Sequence, residues 1–497
     1  MNLATIIEAH PDDAIALISR NHRTTYGELR TQVAGLRGGF AGLGLEPGDR
    51  IGIVCGNNWY FVVAYLAALG AGLVVVPLNP SSPARELERE LAAVGVRAVV
   101  IGPASRSSFA GIDRAEVPTL EHVVVTDDDA TPGTERLDLL LAAAPIPMID
   151  RAQGDLAALL FTSGTAGSPK AAMLSHGNLL ANIAQMQAHP GRAQDALDVS
   201  FGVLPLFHIF GLNVVLGLSL SVGSRVVLIE RFDPVSALEA IERHGITIVS
   251  GAPTMWAAWA GLPDVDPMAF RTVRLATSGA ARLPVELART FAERFGLVLS
   301  EGYGLTEASP VVTSSAGTNT RPGSIGVPVP NLEIRLVDSD GEDVLVGDSG
   351  EIWVRGPNVF QGYWEDPDAT RAALDDQGWL HTGDIAVVDD DGFLYLVDRA
   401  KDIIIVSGFN VYPAEVEEVL LEHPAVDAAA VVGVAHPYTG EAVKAYVVVA
   451  PGRSAEEDDI IEFCGHRLAR YKLPTKVMFV DELPQNASGK VLRRTLT

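Results

Sequence analysis

The sequence predicts an α/β protein in which a large N-terminal domain of doubly wound sheets precedes a small β-barrel-like unit and a small α+β C-terminal domain. The chain has 497 residues, more than a single hydrophobic core usually serves. Helix-like segments alternate with short β-branched runs as far as Thr277, which favours parallel strands joined by crossover helices. After Gly323 the strands are punctuated by glycine and proline, which indicates a smaller antiparallel or barrel-like unit.

The alternating segments of the first part can be assigned one by one. Helices are predicted over residues 25–43, 82–94 and 234–244, and strands over residues 50–54, 73–76, 98–101, 122–125, 156–160, 224–229, 246–250 and 272–277. The uncharged stretch 61–77 is nearly long enough to cross a membrane. Gly70 and Gly72 interrupt it before a β-branched run, so we predict a buried helix followed by a buried strand, and no integral membrane segment.

The part of the chain after Asp402 has a compact pattern of its own. Strands are predicted over residues 428–434 and 442–449 and helices over residues 415–423 and 455–468, whereas the strands at 333–337 and 350–354 belong to the preceding unit. The main boundary is therefore expected at residues 398–402. It separates a large domain, residues 1–398, from a small domain, residues 403–497.

Charge and cysteine content exclude several classes of protein. The formal net charge is −25, from 62 acidic and 37 basic side chains, and no block of Lys and Arg occurs, so a nucleic-acid partner is not expected. Cys55 and Cys464 both lie in apolar surroundings and are predicted to be buried thiols. Because the N-terminus lacks the basic region of a secretory signal, the expected location is the cytoplasm.

The densest cluster of hydroxyls and glycines is FTSGTAGSPK, residues 161–170, directly after a predicted strand. Glycines allow the backbone N–H groups to converge on one point, and Lys170 adds a cation, so the segment is predicted to bind phosphates. It lacks the spacing of a Walker A loop. A glycine- and serine-rich surface turn is the alternative.

This loop and the motifs that follow it in order resemble the adenylate-forming superfamily, in particular its fatty-acid:CoA ligases. In that family the loop reads roughly [YF]TSGTTGxPKG, so Ala166 and Ala171 depart from it, and a slower first half-reaction is expected. Further matches are LPLFHIFG at residues 204–211, SGAARLP at 278–284, SEGYGLTE at 300–307, GWLHTGD at 378–384, YLVDRAKD at 395–402, SGFNVYPAE at 407–415 and PQNASGK at 484–490.

The resemblance implies an AMP-forming acid:CoA ligase that uses ATP, Mg²⁺ and coenzyme A. The acid would first become an acyl-adenylate and then pass to CoA. The segments expected to surround the acid hold no cation for a second carboxylate, so a fatty acid of medium or long chain is favoured over a dicarboxylate. An aryl acid as the substrate and an acyl carrier protein as the acceptor remain alternatives, as do a monomer and a homodimer.

The resemblance also assigns roles to individual residues. Tyr303 offers a face to adenine, Thr306 a hydroxyl to the α-phosphate, and Glu307 an oxygen ligand to Mg²⁺. Lys490 matches the catalytic lysine, and His208 the gate beside the acyl site. The expected ATP- and AMP-binding residues are Thr162, Ser163, Gly164, Thr165, Gly167, Lys170, Gly279, Ala280, Glu301, Gly302, Tyr303, Asp384 and Arg399.

The remaining roles concern domain movement and the second half-reaction. By resemblance the C-terminal domain is mobile and rotates about a hinge at residues 399–402 that contains Lys401, withdrawing Lys490 and presenting Ser407 and Gly408 to CoA. The expected acyl pocket consists of Phe207, His208, Gly211 and Trp256. The residues alone would favour a hydrogen-bonded core histidine at His208 and a solvated lysine at Lys490, and Lys401 could equally be a solvated charge.

Overall fold

The computed structural model describes residues 1–20, 22–126, 133–162, 170–191, 194–281, 283–318, 320–338, 340–399, 404–411, 413–484 and 496. The α-helices of this part are α1 (Tyr26–Gly42), α2 (Trp59–Gly70), α3 (Ala84–Ala93), α4 (Arg106–Ala110), α5 (Leu137–Leu141), α6 (His176–Ala188), α7 (Leu218–Ser221), α8 (Pro234–His244), α9 (Pro253–Gly261), α10 (Val285–Phe295), α11 (Pro367–Ala373), α12 (Pro413–Leu421) and α13 (Glu457–Gly465). A π-helix, Phe210–Gly217, leads directly into α7.

Local sequence signals explain where several of these helices begin and end. Thr25 and Glu28 form a reciprocal capping box at the start of α1. Asp233 caps α8, and Gly245 ends it in the left-handed conformation. The helices predicted at residues 25–43, 82–94 and 234–244 are therefore confirmed to within two residues at each end.

The strands before residue 330 are β1 (Ile15–Ser19), β2 (His22–Thr25), β3 (Arg50–Val54), β4 (Val74–Pro77), β5 (Ala98–Ile101), β6 (His122–Val125), β7 (Glu135–Arg136), β8 (Leu156–Thr162), β9 (Lys170–Ser175), β10 (Val199–Gly202), β11 (Arg225–Leu228), β12 (Ile248–Gly251), β13 (Leu275–Ser278), β14 (Leu299–Gly304), β15 (Val311–Ser314) and β16 (Val327–Pro328). They form a seven-stranded sheet, in the order β7-β6-β5-β3-β4-β8-β9, and a nine-stranded sheet, in the order β16-β15-β14-β13-β12-β10-β11-β1-β2.

Both sheets are mainly parallel, as predicted, but their edges are not. Strand β9 runs antiparallel to β8, β2 runs antiparallel to β1, and β15 runs antiparallel to β14. The connections at these three places are too short for a crossover helix, so the chain reverses through a turn or loop.

The remaining strands are β17 (Glu333–Val337), β18 (Ser349–Arg355), β19 (Leu380–Val388), β20 (Leu394–Arg399), β21 (Ile404–Val406), β22 (Phe409–Val411), β23 (Val426–His436), β24 (Gly440–Val449) and β25 (Lys476–Phe479). Strands β17 to β20 form a four-stranded antiparallel sheet, which is the form that the expected barrel-like unit takes. Strands β21 to β25 form a separate sheet with α12 and α13 packed against it, and we call this unit the C-terminal domain.

The uncharged segment 61–77 is buried as predicted. Helix α2 and strand β4 share it, and every residue from Phe61 to Leu78 is buried in the hydrophobic core. No helix among the described residues is long and apolar enough to cross a membrane. Cys55 and Cys464 are both free and buried, which confirms the prediction for the two thiols.

Candidate active site

The carboxyl ends of three adjacent parallel strands form the centre of the site. In the nine-stranded sheet, Gly251 of β12 pairs with Ser278 of β13, which in turn pairs with Glu301 of β14. Ligands of open α/β sheets bind at this edge because the strands end there and the loops diverge. The fold thus brings together the predicted motifs at residues 278–284 and 300–307, which are separated by helix α10 in the sequence.

The turn after β13 is narrow and strained. The backbone nitrogen of Gly279 donates to the carbonyl oxygen of Gly251 over 3.1 Å. A Cβ built on Gly279 would lie 3.1 Å from a ring carbon of Phe210, so the ring of Phe210 rests directly on this glycine. Ala280 has a φ of +67°, a left-handed conformation that is costly for a residue with a side chain. Strain of this kind is typical of binding sites.

Tyr303 and Asp384 meet although they belong to different sheets. The Tyr303 hydroxyl donates to Oδ2 of Asp384 over 2.7 Å, and both residues are 7% exposed. Asp384 lies in β19 opposite Arg399 of β20. The motifs expected to hold adenine and ribose are therefore adjacent. Glu301 has a local role as well, because its Oε1 accepts from the backbone nitrogen of Leu283 over 3.0 Å.

A second constellation joins Glu307, Tyr363 and Lys170. Glu307 lies in a short 3₁₀ turn that begins at Thr306, and its Oε1 accepts from the Tyr363 hydroxyl over 2.6 Å. The ammonium of Lys170 lies 5.2 Å from the centre of the Tyr363 ring. Tyr363 was not predicted from the sequence. The stretch 361–364 is hydrogen-bonded alongside β9, whose first residue is Lys170, and no sequence motif indicates that pairing.

This constellation suits a magnesium ion that is carried by a nucleotide. No group of three or more His, Cys, Asp or Glu side chains suited to a metal occurs within the described ranges. Mg²⁺ is usually held by one or two carboxylates together with the phosphates of the substrate. The Glu307 carboxylate, oriented by Tyr363, would supply the protein oxygen ligand of such a site.

The phosphate loop begins and ends on an antiparallel pair of strands. Thr162 at the end of β8 faces Lys170 at the start of β9, and the Thr162 hydroxyl donates to the carbonyl oxygen of Lys170 over 3.4 Å. Both ends of the loop are thus fixed next to Tyr363 and Glu307. The predicted loop residues Ser163, Gly164, Thr165 and Gly167, and also Lys401 and Lys490, lie outside the described residues.

His208 is neutral and lies between the two domains. Burial lowers the pKa of its imidazole to about 4. Its Nδ1 accepts from the backbone nitrogen of Phe210 over 3.3 Å, which fixes the proton on Nε2. The ring meets Phe409 of the C-terminal domain edge-on, at 6.3 Å between centres. His208 thus contacts the C-terminal domain through Phe409.

The other expected pocket residues differ in their surroundings. Phe207 is partly exposed. Gly211 is packed against backbone, since a Cβ built on it would lie 2.2 Å from the carbonyl oxygen of Pro205. Trp256 is fully buried in a cluster with Trp259 and Phe291, and its indole nitrogen has no hydrogen-bond partner among the described residues. Gly211 and Trp256 therefore contribute packing to this region.

A small cavity lies further along the π-helix and α7. It is lined by Val214, Val215 and Leu218 of the helices, by Gln194, and by Ser200, Phe201, Ile248, Ser250 and Leu275 of the sheet. Val214 lies one helical turn beyond Phe210, about 5 Å along the axis. Ser250 precedes Gly251 in β12. The cavity thus lies behind the region that Phe210 and Gly279 enclose.

The Ser407-Gly408 turn of the C-terminal domain faces this site. It joins β21 and β22 as a two-residue hairpin with positive φ at both positions, +52° and +84°, as in a type I′ turn. A Cβ built on Gly408 would lie 3.2 Å from the Cβ of Ala252 and 3.5 Å from that of Ala280. Only a glycine allows the turn to approach the strand ends this closely.

The comparisons with known proteins agree with this geometry. Residues 3–364 match the model of the AMP-binding enzyme family, and residues 415–490 match that of the AMP-binding enzyme C-terminal domain. A long-chain-fatty-acid–CoA ligase of Bacillus subtilis (strain 168) is 36% identical over 518 residues, which cover 97% of this chain and 91% of the relative. A feruloyl-CoA synthase of Amycolatopsis sp is 38% identical over 474 residues, covering 94% and 92%.

Among solved structures, o-succinylbenzoate CoA synthetase from Bacillus subtilis, bound with a product analogue, superposes with a TM-score of 0.87 and 31% identity. The match covers 100% of this chain and 98% of that one. The chain therefore belongs to the AMP-binding, adenylate-forming enzyme family. Within that family it is an AMP-forming acid:CoA ligase, with ATP and coenzyme A as its substrates.

Proposed function

We propose that this ligase activates a medium- or long-chain fatty acid. The observation that carries the proposal is the character of the acyl segments 207–213, 251–256 and 278–280, which contain no Lys or Arg. Their one ionisable side chain, His208, is neutral because burial lowers the pKa of its imidazole to about 4. A second carboxylate would be left without a partner in such surroundings, at a cost of several kcal/mol.

The apolar side chains that follow Phe210 favour an alkyl chain, although the cavity they line is too small to hold one without a shift of these side chains. Val214, Val215 and Leu218 form this apolar surface, which begins one helical turn beyond Phe210. Opposite them, the cavity also presents the hydroxyls of Ser200 and Ser250. A substrate panel should therefore include acids with a terminal hydroxyl next to plain alkyl acids of the same length.

An aryl acid is the second candidate, and one contact favours it. Two carbons of the Phe210 ring lie 3.1 and 3.2 Å from a Cβ built on Gly279, so an aromatic side chain borders the turn beside the expected acid. Aromatic rings pack well against such a side chain in offset or edge-on arrangements. The panel separates this candidate from the first.

For the chemistry we propose the following roles. Tyr303 and Asp384 orient the adenosine, and Thr306 donates to the α-phosphate. Mg²⁺ held by Glu307 neutralises phosphate charge when it is bound. Lys170 lies beside the Tyr363 that fixes Glu307, where it adds positive charge for the pyrophosphate. The acid's carboxylate forms a bond to the α-phosphorus as the bond to pyrophosphate breaks.

The second step forms the thioester. The sulfur of coenzyme A bonds to the acyl carbon, and AMP leaves with the oxygen that it shared with that carbon. We propose that the C-terminal domain rotates about residues 399–402 between the steps, so that Lys490 serves the first and the Ser407-Gly408 turn serves the second. The contacts of Gly408 with Ala252 and Ala280 support the assignment of the observed arrangement to the second step.

The proposal is tested by pyrophosphate release with ATP, Mg²⁺ and a panel of alkyl, terminally hydroxylated and aryl acids, with and without CoA. We expect alkyl acids to give release that turns over repeatedly only when CoA is present. Lys490→Ala should lose the first step, whereas the exposed Lys476→Ala should retain it. Adenylate that accumulates regardless of CoA would indicate a carrier protein as the acceptor, and a preference for aryl acids would overturn the fatty-acid assignment.

A further inference from the structure

A buried ion cluster joins the C-terminal domain to the large N-terminal domain. The ammonium of Lys472 lies 2.6 Å from Oε1 of Glu86 and 2.8 Å from Oε1 of Glu415. Glu86 belongs to α3 of the large domain, whereas Glu415 and Lys472 belong to the C-terminal domain. The three side chains are 6% exposed at Lys472, 3% at Glu86 and 1% at Glu415.

Such burial distinguishes this cluster from an ordinary surface ion pair. Arg85 of the same helix also crosses to the C-terminal domain, where it meets Glu422 at 3.2 Å, but its side chain is 59% exposed and that of Glu422 is 40% exposed. Exposed pairs contribute little, whereas removal of one partner from a buried pair leaves an uncompensated charge and is strongly destabilising. Of these two contacts, loss of the Lys472 contact would penalise this arrangement of the domains more.

The cluster is linked to the catalytic region by stacked rings. Tyr471, next to Lys472, stacks on Phe409 with 4.4 Å between ring centres and 23° between planes. Phe409 directly follows the Ser407-Gly408 turn and meets the ring of His208. A fixed Lys472 therefore fixes the position of the turn against Ala252 and Ala280.

We propose that Lys472 is a positioning residue for the thioester-forming step: its contact with Glu86 docks the C-terminal domain so that Gly408 faces the acyl-adenylate. It touches no substrate. In the rotated arrangement of the first step, the contact with Glu86 is absent, while the contact with Glu415 moves with the domain. The inference rests on the domain rotation that is proposed above.

A measurement of domain docking tests the proposal without knowledge of the acid. Spin labels are placed at Leu197→Cys and Tyr438→Cys, which are 82% and 81% exposed, one on each domain. The native Cys55 and Cys464 are buried and do not compete for the label. We expect one dominant distance in the otherwise wild-type chain, and a loss of that distance in Lys472→Met and in Glu86→Gln.

The kinetic arm separates the two half-reactions. With the acid found in the panel, Lys472→Met should lower the rate of thioester formation from preformed adenylate by roughly 100-fold, and leave pyrophosphate release in a single turnover within about threefold of wild type. Arg85→Gln, which removes the exposed contact between the same domains, is the matched control and should change neither rate by more than about threefold.

Two outcomes would overturn the proposal. If Lys472→Met keeps the dominant distance, the lysine does not dock the domain. If the rates of both half-reactions decrease together in Lys472→Met, the lysine has a role in general stability. The milder variant Glu86→Gln is then measured, and an equal decrease of both rates in that variant overturns the proposal. A failure of the fatty-acid assignment would appear only in the acid panel, since the label distance requires no acid.

Discussion

The hydroxyl of Tyr303 donates to Oδ2 of Asp384 over 2.7 Å, and this bond connects the nine-stranded sheet with the four-stranded sheet. Both residues are almost fully buried. A buried carboxylate that loses a donor pays a desolvation cost of about 1.5–3 kcal/mol. The bond therefore fixes the orientation of Asp384, the residue for which we propose contact with the ribose hydroxyls.

Tyr303→Phe should raise the KM for ATP about tenfold, because Asp384 loses the donor that orients it. Pyrophosphate release at varied ATP concentration measures this effect. Tyr395→Phe is the matched control, since Tyr395 also donates from its hydroxyl to a carboxylate, Asp389, over 3.1 Å. An equal change in both variants would contradict a specific role of Tyr303 in nucleotide binding.

Gly408→Ala should slow thioester formation and spare adenylation. The new Cβ would lie 3.2 Å from that of Ala252, so the turn and Ala252 must shift apart by a few tenths of an ångström, in addition to the strain of a φ of +84°. Gly452→Ala controls for backbone strain, since Gly452 also has a positive φ, +75°, but has open space around it. Rapid-quench measurement of both half-reactions decides the matter, and equal behaviour of the two variants would refute a role for the close contact.

Tyr363→Phe should raise the Mg²⁺ concentration required for half-maximal activity by about 10-fold or more, because partners that orient a metal ligand commonly contribute this much to affinity. The Tyr363 hydroxyl is 2.6 Å from Oε1 of Glu307. A Mg²⁺ titration at fixed ATP measures the effect. An unchanged half-saturation would show that Tyr363 does not orient the carboxylate for the metal.

Docking of the C-terminal domain should weaken as the pH rises. Burial raises the pKa of Glu90 well above its ordinary 4.5, with a further contribution from Glu86, and burial also raises the pKa of Glu415. A carboxyl whose pKa is raised by docking contributes fully to docking when the pH is below its ordinary pKa. This contribution is lost as the pH rises from the ordinary pKa towards the raised pKa. The charged and ionisable groups that face Glu90 are Glu86, Arg89, Glu415, Tyr471 and Lys472.

Glu90→Gln should reduce this pH dependence, because the amide remains neutral at every pH. The docked fraction is measured from the spin-label distance as the pH is raised from the ordinary glutamate pKa of 4.5. Glu293→Gln is the control, since the side chain of Glu293 is 73% exposed. Parallel curves for Glu90→Gln and wild type would show that Glu90 is not the group that titrates.

Acid should destabilise the fold through His176. Its Nδ1 accepts from the backbone nitrogen of Leu3 over 3.0 Å, and burial lowers its pKa from 6.5 to about 4. The unfolded chain therefore binds the proton more readily, and stability that is complete above about pH 6.5 falls by about 3 kcal/mol as the pH decreases towards 4.

Urea unfolding at several pH values measures this contribution. His176→Gln should flatten the decrease in the unfolding free energy between about pH 6.5 and about pH 4, and His466→Gln should not, because the His466 side chain is 72% exposed. Identical slopes for wild type and His176→Gln would contradict the assignment.

The strand and helix order was predictable because hydrophobic runs and glycines separate the elements clearly. The stretch 61–77 is an example, since two glycines and a β-branched run suffice to distinguish a helix and a strand from a membrane span. The π-helix after Ile209 was not predictable, because its apolar sequence fits an α-helix equally well. The antiparallel strand β9 was not predicted either, because its first residue, Lys170, is also the last residue of the predicted phosphate loop.

The site was predictable where a motif exists and not where tertiary structure alone creates it. Tyr303 and Asp384 could be named in advance, although their hydrogen bond could not. Lys472 looks like a solvated lysine in the sequence, because Glu86 is 386 residues away. Tyr363 carries no signal either, because its contact with Glu307 depends on the pairing of residues 361–364 with β9.

The position of β1 in the nine-stranded sheet has a consequence for synthesis of the chain. Leu17 of β1 pairs in parallel with Val226 of β11, although the next strands, β3 to β6, belong to the other sheet. On a ribosome, β1 can form only its hairpin with β2 until Leu228 has emerged. The nascent chain thus exposes one edge of an apolar strand throughout this time, a state prone to aggregation and suited to chaperone binding.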